Sequence, residues 1–356
     1  MIKHSILPFF ISHQGCPHQC VFCDQRIITG INQVVTPEYI FDKINEFTQR
    51  ESSSTDYREI AYYGGTFTAL AEDRQAELLW PAKEALQKGK IRRIRVSTRP
   101  DYINKDTLHL LRSYNVSLVE LGIQSLDQEV LYQSGRGHTR EESLFAIDML
   151  KEQGFEVGAQ LMIGLPGDNI DKSINTCREI IKKKPNYVRI YPTLVLKGTL
   201  LEKMFQKRDY FPMTLFDAVA VSKQMVMQFM DAQIKLIRIG LHPGQDLQKE
   251  GLILAGPFHP AFGELVKSEL ALDLLIFTIK SLDKKKEDVV SIYVPANETS
   301  IFIGQKKKNL SYLSSLFPNL RIKIVSAPLL NKINIRFERD SRESTIHYLN
   351  GFKPKI

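Results

Sequence analysis

The chain has 356 residues, of which 43% are hydrophobic and 25% are charged, a balance typical of a globular protein with a large core. No apolar run is long enough to span a membrane and no signal-peptide pattern is present, so we expect a cytoplasmic protein without membrane contacts. Four cysteines are too few for a disulfide framework, and the formal net charge of +8 favours polyanionic partners such as nucleic acid.

Short apolar runs alternate with longer amphipathic runs from residue 5 to about residue 240. The predicted strands are 6–12, 58–65, 91–98, 116–124, 155–164, 186–192 and 234–240, and the predicted helices include 37–50, 71–88, 140–153, 171–184 and 214–231. Regular alternation implies parallel strands joined by right-handed helical crossovers. We therefore predict an α/β fold, either an open sheet or a barrel.

Polar and small residues follow the predicted strands, one group after each. In chain order these groups are 13–26 (HQGCPHQCVFCDQR), 64–66 (GGT), 97–101 (STRPD), 124–125 (QS), 164–168 (GLPGD) and 191–199 (YPTLVLKGT). Ligands of parallel α/β folds bind at the carboxyl ends of the strands. We therefore expect these groups to form one site.

The pattern changes after about residue 250. A loop and an amphipathic helix precede a predicted strand, helix, Gly-Lys loop, helix and strand, and 332–339 (KINIRFER) predicts one more strand. We predict two domains, an α/β domain over 1–245 and a small basic α+β domain over 246–356.

Three of the four cysteines, Cys16, Cys20 and Cys23, lie on one short loop with the spacing C-x3-C-x2-C. With His13 or His18 as a fourth ligand they could form a tetrahedral zinc site. Alternatively, three cysteines could hold a 4Fe–4S cluster, leaving one iron open to a chelating small molecule. The residues alone leave both interpretations open.

The cysteine spacing, with an aromatic residue directly before the last cysteine, resembles the signature of the radical S-adenosylmethionine (SAM) superfamily. The resemblance continues in order through YYGGT, STRPD, ELGIQS and LMIGLPGD, over about two-thirds of the chain. It implies a partial (β/α)6 barrel of the TIM type, with a 4Fe–4S cluster on Cys16, Cys20 and Cys23. It also implies reductive cleavage of S-adenosyl-L-methionine to a 5′-deoxyadenosyl radical, with an electron donor such as ferredoxin or flavodoxin.

The resemblance also implies functional residues. The implied cofactor-binding residues are Phe22, Gly64, Gly65, Thr66, Ser97, Arg99, Glu120, Gln124, Arg136 and Ile163, and the implied substrate-facing catalytic residues are Tyr191 and Lys197. Plainer interpretations remain open, because two adjacent glycines can make a tight turn and Arg99 and Gln124 can be ordinary surface or capping groups. Cys177, on a predicted helix, is interpreted as a small buried apolar residue.

Two longer stretches, 120–139 and 188–201, resemble the branch of the elongator catalytic subunit, which modifies wobble uridine in tRNA; the first also resembles the oxygen-independent coproporphyrinogen oxidases. We find no Gly-rich acyl-coenzyme A loop, so an acetyltransferase domain is not expected. The helix, Gly304-Gln305-Lys306-Lys307 and helix pattern resembles a KH-type RNA-binding module without its second glycine.

Lys306, Lys307 and Lys308 would offer ammonium groups to RNA phosphates, although a solvated basic helix start is an equally simple interpretation. We therefore predict a radical SAM enzyme that modifies RNA, specifically tRNA. Two alternatives remain: a radical SAM enzyme acting on a small molecule such as a porphyrin precursor, and a non-catalytic protein that binds zinc or RNA.

Overall fold

A computed structural model describes residues 4–11, 14–16, 18–24, 34–49, 57–241, 251–281 and 289–327, with two further backbone segments at 333–337 and 343–346. His13, a candidate zinc ligand, lies outside the described residues. The chain divides into two compact units, Met1–Ala218 with Leu241–Pro260 and Val219–Gly240 with Ala261–Ile356. The functional division near residue 245 stays a prediction.

The described strands are β1 (His4–Phe10), β2 (Tyr57–Tyr63), β3 (Arg93–Thr98), β4 (Leu118–Gln124), β5 (Glu156–Ile163), β6 (Tyr187–Pro192), β7 (Val195–Leu196), β8 (Lys235–Ile239), β9 (Ile253–Ala255), β10 (Val289–Pro295), β11 (Arg321–Ala327), β12 (Ile333–Phe337) and β13 (Glu343–Ile346). The described helices are α1 (Pro37–Gln49), α2 (Glu72–Gln87), α3 (Lys105–Ser113), α4 (Gln128–Gln133), α5 (Arg140–Glu152), α6 (Ile170–Lys183), α7 (Leu200–Gln206), α8 (Leu215–Asp231), α9 (Phe262–Ser281), α10 (Thr299–Ile303) and α11 (Lys308–Leu316).

In the first unit, β1 to β6 pair in parallel with their chain neighbours, and helices lie between successive strands in the sequence. This order confirms the predicted βα alternation and is that of a partial (β/α)6 barrel. Each predicted chemical group occupies the carboxyl end of its strand or the loop that follows. A short antiparallel pairing of β7 with β9 was not predicted, because two- and three-residue strands leave almost no periodic signal.

Two helices of the first unit begin at reciprocal capping boxes. Asn104 and Thr107 form a reciprocal capping box at the start of α3, and Thr139 and Glu142 form another at the start of α5. Each box satisfies backbone N–H groups that would otherwise lack partners. The sequence therefore determines where these crossovers leave the strand ends.

The two faces of the parallel strands differ in character. One face is apolar and packs against the helices; on β2 it carries Ile60 and Tyr62, and the hydroxyl of Tyr62 donates to the carbonyl oxygen of Leu78 on α2 at 2.5 Å. The other face carries charged side chains, among them Glu59 and Arg95, both almost fully buried. Charged side chains are rarely buried unless they are paired, and Arg95 is paired with both Glu59 and Glu120 on this face.

In the second unit a four-stranded sheet has the order β11-β10-β12-β13, with β10 and β11 parallel and the other pairs antiparallel. The predicted strand, helix, Gly-Lys loop, helix and strand are all present, whereas β13 was not predicted. Buried hydrocarbon side chains of α9, β10, α10, α11 and β11 form the core of this unit.

Among the described residues, no helix combines the length and the apolar character needed to cross a bilayer.

Candidate active site

The cysteine loop (residues 14–24) is attached at both ends to other strand-end segments. At its start, the N–H of Ile11 donates to the carbonyl oxygen of Tyr63 at 2.8 Å, and the N–H of Thr66 donates to the carbonyl oxygen of Gln14 at 3.1 Å. At its end, the N–H of Val21 donates to Ser134 at 3.1 Å. The loop is therefore held between the carboxyl end of β2 and the residues that follow α4.

Glycines allow this close attachment. A Cβ at Gly65 would lie 2.4 Å from the carbonyl oxygen of Gln14 and 2.8 Å from that of Ile11, and a Cβ at Gly15 would lie 2.3 Å from that of Thr66. Such distances to backbone atoms cannot be relieved by a rotamer change. Gly64 has a φ of +86°, the left-handed region that glycine tolerates best. The predicted glycine motif is thus where the cysteine loop approaches β2.

All four cysteines are thiols, and the three on the loop differ from the fourth in exposure. Cys16 is exposed, with its sulfur 3.5 Å from Oγ1 of the buried Thr66, and Cys20 and Cys23 are half-buried. Cys177 is fully buried, as predicted, and burial raises its thiol pKa to about 12. Only the loop cysteines are placed to bind an external group.

Arg136 brings a cation to this loop. Its Nη1 donates to Sγ of Cys20 at 3.1 Å, and its Nη2 donates to the carbonyl oxygen of Gly122 at 2.5 Å. The side chain is almost fully buried, and its Nε has no hydrogen-bond partner among the described residues. Arg136 therefore contacts one of the three loop cysteines, and its predicted contact with the cofactor stays a prediction.

Arg99, another predicted cofactor residue, uses its guanidinium within the protein. Nε and Nη2 donate to the two carboxylate oxygens of Asp101 at 2.9 and 2.8 Å, and Nη2 also donates to the carbonyl oxygen of Arg136 at 2.5 Å. Arg99 thus fixes the backbone of Arg136. A direct contact of Arg99 with SAM stays a prediction.

Glu120 interacts with several side chains on the charged face of the strands. Its Oε1 accepts from Arg95 at 2.7 Å, from Arg189 at 3.0 Å and from the hydroxyl of Tyr63 at 3.3 Å. Burial alone would raise the pKa of Glu120, but the positive charges of Arg189 and Arg95 outweigh it and hold the pKa below its ordinary value. Gly158 makes room, since a Cβ there would lie 2.9 Å from Cγ of Glu120.

The partners of Glu120 were not predicted from the sequence. Arg95 also pairs with Glu59, which in turn pairs with His4 at 2.6 Å, and Arg189 donates to the hydroxyl of Tyr191 at 3.2 Å. The sequence does contain a pattern that indicates these partners. Charged residues alternate with apolar residues in IRRIRVS and YVRIYP, which places the charges on one face of each strand.

The ends of β3, β4 and β5 hold further predicted residues. Gln124 is buried with a φ of +68°, a strained conformation for a non-glycine residue, and its Oε1 lies 3.4 Å from Nε2 of Gln160. Ser97 lies opposite Glu120 in the β3–β4 register, and Ile163 ends β5. Strain at a strand end is common at functional sites, although the cofactor roles of these residues stay predictions.

The remaining predicted residues lie around β6 and β7. Phe22 packs in an apolar cluster with residues that include Val195, Leu201 and Tyr210, so it anchors the cysteine loop. Tyr191 is half-buried on the charged side of β6, and Lys197 is exposed directly after β7. Their predicted roles toward a substrate remain untested.

The residues of the loop fit a 4Fe–4S cluster and SAM. Three thiols lie on one loop, and the buried Nε of Arg136 requires an acceptor that a bound group could supply. Within the described part of the chain, no group of three or more His, Cys, Asp or Glu side chains is arranged to hold a single metal ion. Cys16, Cys20 and Cys23 would hold the cluster.

Comparison with known proteins identifies the class. The family model "Radical SAM superfamily" matches residues 10–180, and the model "Radical_SAM C-terminal domain" matches residues 185–271. The chain therefore belongs to the radical SAM superfamily, whose members use a 4Fe–4S cluster and SAM.

The individual relatives confirm the predicted resemblance to the elongator-like branch. A tRNA uridine(34) acetyltransferase of Methanocaldococcus infernus is 27% identical over 256 residues, covering 61% of this chain and 48% of the relative. Elongator complex protein 3 of Mus musculus is 29% identical over 190 residues, covering 47% of this chain and 35% of the relative. This chain thus spans about half, or less, of the length of these relatives.

A solved structure confirms the fold class. Archaeal Methanocaldococcus infernus Elp3, solved with an N-terminal deletion, is 24% identical with a TM-score of 0.61, covering 76% of this chain and 63% of that chain. At this identity the likeness shows the fold alone. The predicted partial (β/α)6 barrel is thereby confirmed.

Proposed function

We propose that this chain is a radical SAM enzyme that modifies RNA, specifically tRNA. The observation that supports the reaction class best is the cysteine loop, held at the carboxyl ends of parallel strands by glycines and by the buried Arg136. The RNA substrate is supported by relatives named for action on tRNA uridine and by the basic lysine turn discussed below.

When bound, the cluster and SAM supply the carbon-centred radical that abstracts hydrogen from a substrate. The protein's part is to position the cofactor and exclude water. Gly64, Gly65 and Thr66 would form one wall of the SAM site and Ser97 and Gln124 another. Phe22, packed among apolar side chains, would close the loop side against solvent.

On the substrate side we propose a hydroxyl and a cation. The hydroxyl of Tyr191 accepts a hydrogen bond from Nη1 of Arg189 at 3.2 Å, which leaves its own O–H free to donate to a substrate. Lys197 is exposed and would attract a phosphate. Both residues lie in the stretch 188–201 that resembles the family, and neither side chain is fully buried.

The lysine turn (Gly304-Gln305-Lys306-Lys307) would bind the RNA backbone. Gly304, Lys306 and Lys307 all have positive φ, of 76°, 52° and 63°. The fourth position of the KH-like loop therefore has a glycine-type conformation although it is a lysine. Lys306 and Lys307 are exposed, whereas Lys308 pairs with Glu269 at 2.8 Å. We therefore assign phosphate binding to Lys306 and Lys307.

The enzyme also requires a one-electron donor, and we propose a ferredoxin or flavodoxin. The exposure of Cys16 supports an approach of the donor from that side of the loop. Electron transfer over a short distance does not require a deep binding pocket, so a weak and transient contact is sufficient.

The test of the reaction uses the full chain, reconstituted anaerobically with iron and sulfide. With SAM, a reductant and unmodified tRNA, we expect release of 5′-deoxyadenosine or methionine and a new modified nucleoside in the digested tRNA. SAM cleavage without any change in tRNA would contradict the RNA assignment and favour a small-molecule substrate. Zinc without sulfide in the purified protein would contradict the radical class.

The test of RNA binding compares two double variants. Lys306→Gln with Lys307→Gln should lower tRNA affinity and reduce the slope of log affinity against log salt by roughly 1.5, because each lost phosphate contact removes about 0.7–0.9. The matched control, Lys182→Gln with Lys184→Gln, removes two exposed lysines at the end of α6, including one at a φ of +50°. Equal slopes in both variants would contradict a specific role for the lysine turn.

A further inference from the structure

Arg136 lies against the cysteine loop in a geometry that is fixed from several directions. Its Nη1 is 3.1 Å from Sγ of Cys20 and its Nη2 is 2.5 Å from the carbonyl oxygen of Gly122. Only 6% of the residue is exposed. With two nitrogens bound to different elements, the guanidinium cannot turn away from the sulfur without breaking the second bond.

The flanking residues dock the same segment on the loop. Gly135 and Gly137 have φ of +64° and +70°; a Cβ at Gly135 would lie 3.2 Å from the carbonyl oxygen of Gln19, and one at Gly137 would lie 2.5 Å from Nε2 of His18. Arg136 therefore reaches the sulfur from a backbone segment that touches the loop on both sides of the arginine.

Neighbouring strands leave space for the guanidinium. A Cβ at Gly122 would lie 3.4 Å from Nη2 of Arg136 and 3.0 Å from Nε2 of Gln124. Arg99, which is bound to Asp101 by two hydrogen bonds, donates to the carbonyl oxygen of Arg136. Arg99 thereby holds the backbone of Arg136, and the absence of a side chain at Gly122 leaves room for the guanidinium.

A buried cation is unfavourable unless a negative group lies near it. Of the two acceptors that the structure describes for the Arg136 guanidinium, the carbonyl oxygen of Gly122 is neutral and the sulfur of Cys20 can be a thiolate. A metal-bound thiolate carries negative charge at every working pH, because metal binding removes its proton. The arginine is therefore matched to the metal-bound form of Cys20.

We propose that Arg136 is a positioning residue that raises the reduction potential of the cluster through its hydrogen bond to Cys20. Adding an electron makes the cluster more negative, and a fixed cation at a ligating sulfur stabilises that state more than the oxidised one. Arg136 thereby makes the cluster easier to reduce by a one-electron donor. The proposal rests on the cluster and is independent of the RNA assignment.

The experiment measures the cluster itself, without substrate. The wild-type chain, Arg136→Lys and Arg136→Gln are reconstituted anaerobically, iron and sulfide per chain are determined, and the midpoint potential is measured by redox titration monitored by electron paramagnetic resonance. We expect the midpoint to move to lower potential in the order wild type, Arg136→Lys, Arg136→Gln, because the first change loosens the cation and the second removes it.

The matched control is Arg140→Gln, which removes an equal charge from the exposed start of α5, where Arg140 pairs with Glu179 at 3.0 Å. Its midpoint should equal that of the wild type. Fully loaded Arg136 variants with an unchanged midpoint would overturn the proposal. Loss of the cluster from both Arg136 variants, with unchanged circular dichroism, would overturn it too, because Arg136 would then act in cluster retention.

Discussion

The cysteine loop and the lysine turn are both glycine-containing loops with candidate ligand-binding side chains, but they are supported differently. The cysteine loop is bound to β2 and to the segment after α4, and a buried arginine reaches one of its sulfurs. The lysine turn displays exposed ammonium groups, and a Cβ at its Gly304 would lie 2.8 Å from the side chain of the buried Asn309. The cysteine loop therefore holds its candidate ligands by backbone and side-chain contacts, whereas the lysine turn leaves Lys306 and Lys307 exposed to solvent.

The interiors behind the two loops differ in the same way. In the first unit, Tyr63 directly precedes the glycine motif and contacts the charges around Glu120. In the second unit, α10 and α11 pack on a hydrocarbon core that includes Phe302 and Leu313. A buried polar network fixes the positions of its side chains, but any member left without a partner lowers the stability of the fold. A hydrocarbon core stabilises the fold through the hydrophobic effect and does not orient a reactive group.

The largest expected effect is at the cysteine loop. Cys20→Ala removes a proposed cluster ligand and the acceptor of Arg136, so iron per chain should fall to the background level and SAM cleavage below detection. Iron analysis and 5′-deoxyadenosine release measure both. Cys177→Ala is the matched control, because that thiol is buried on α6 and should leave iron loading unchanged. Loading that survives Cys20→Ala would contradict the ligand assignment.

The next largest effects are expected on the free energy of unfolding, from substitutions in the interiors of the two units. Glu120→Gln leaves buried guanidinium groups without their charge partner, and we expect a loss of about 3–5 kcal/mol in the free energy of unfolding. Phe302→Ala should cost a similar amount, about 3–5 kcal/mol, through a cavity in the second unit. The single tryptophan, Trp80 on α2, reports on the first unit in urea unfolding followed by fluorescence.

The unfolding transitions of the two variants should therefore be distinguished by the spectroscopic probe that detects them. Glu120→Gln should shift the tryptophan transition, and Phe302→Ala should shift mainly the transition seen by circular dichroism. An exposed pair supplies the control: Glu179→Gln, which loses surface contacts with Arg140 and Lys182, should cost less than about 1 kcal/mol. A Glu120→Gln variant as stable as Glu179→Gln would show that the network contributes little.

A smaller effect is expected at the glycine motif. Gly65→Ala places a methyl group against two backbone oxygens, so we expect a loss of about 1–3 kcal/mol by overpacking and a fall in iron per chain. Gly89→Ala is the control, since its Cβ meets no atom within 4 Å but its φ of +67° imposes a strain of about 1–2 kcal/mol. Normal iron loading in Gly65→Ala would contradict the role assigned to the close approach.

Much of the first unit could be predicted because local signals and strand order agree. Alternating apolar runs located β1 to β6, and each chemical group was found at a strand end as expected. The family motifs located the cysteine loop but not its supports. The contact between Arg136 and Cys20 joins residues 116 positions apart and depends on how the loop folds back, which periodicity does not encode.

Other contacts depend on register and could not be predicted from the strands individually. Glu120 meets Arg95 and Arg189 only because β3, β4, β5 and β6 pair in parallel with a particular stagger. The ion pair between Arg99 and Asp101 could have been predicted from the sequence, since the two residues are separated only by a proline. The family motif instead predicted a cofactor-binding role for Arg99.

The last expected effect is a pH dependence that arises at His138, next to Gly137 in the segment that approaches the cysteine loop. Burial, followed by the charges of Arg136 and Arg99, lowers the pKa of His138 to about 2, and His18 acts in the same direction. The unfolded chain binds a proton at His138 below about pH 6.5 and the folded chain does not. Stability is therefore unaffected above pH 6.5 and falls below it, by at most about 1.4 kcal/mol per pH unit.

The measurement is the free energy of unfolding in urea between pH 4.5 and pH 7.5, for the wild type and for His138→Gln. The variant cannot titrate at this position, so the difference between the two curves should be constant above pH 6.5 and should shrink in favour of the variant below it. Parallel curves over the whole range would mean that His138 takes up its proton in the folded protein. In that case the segment holding Arg136 would be more hydrated than its burial indicates, and the cation at Cys20 would be a weaker influence on the loop.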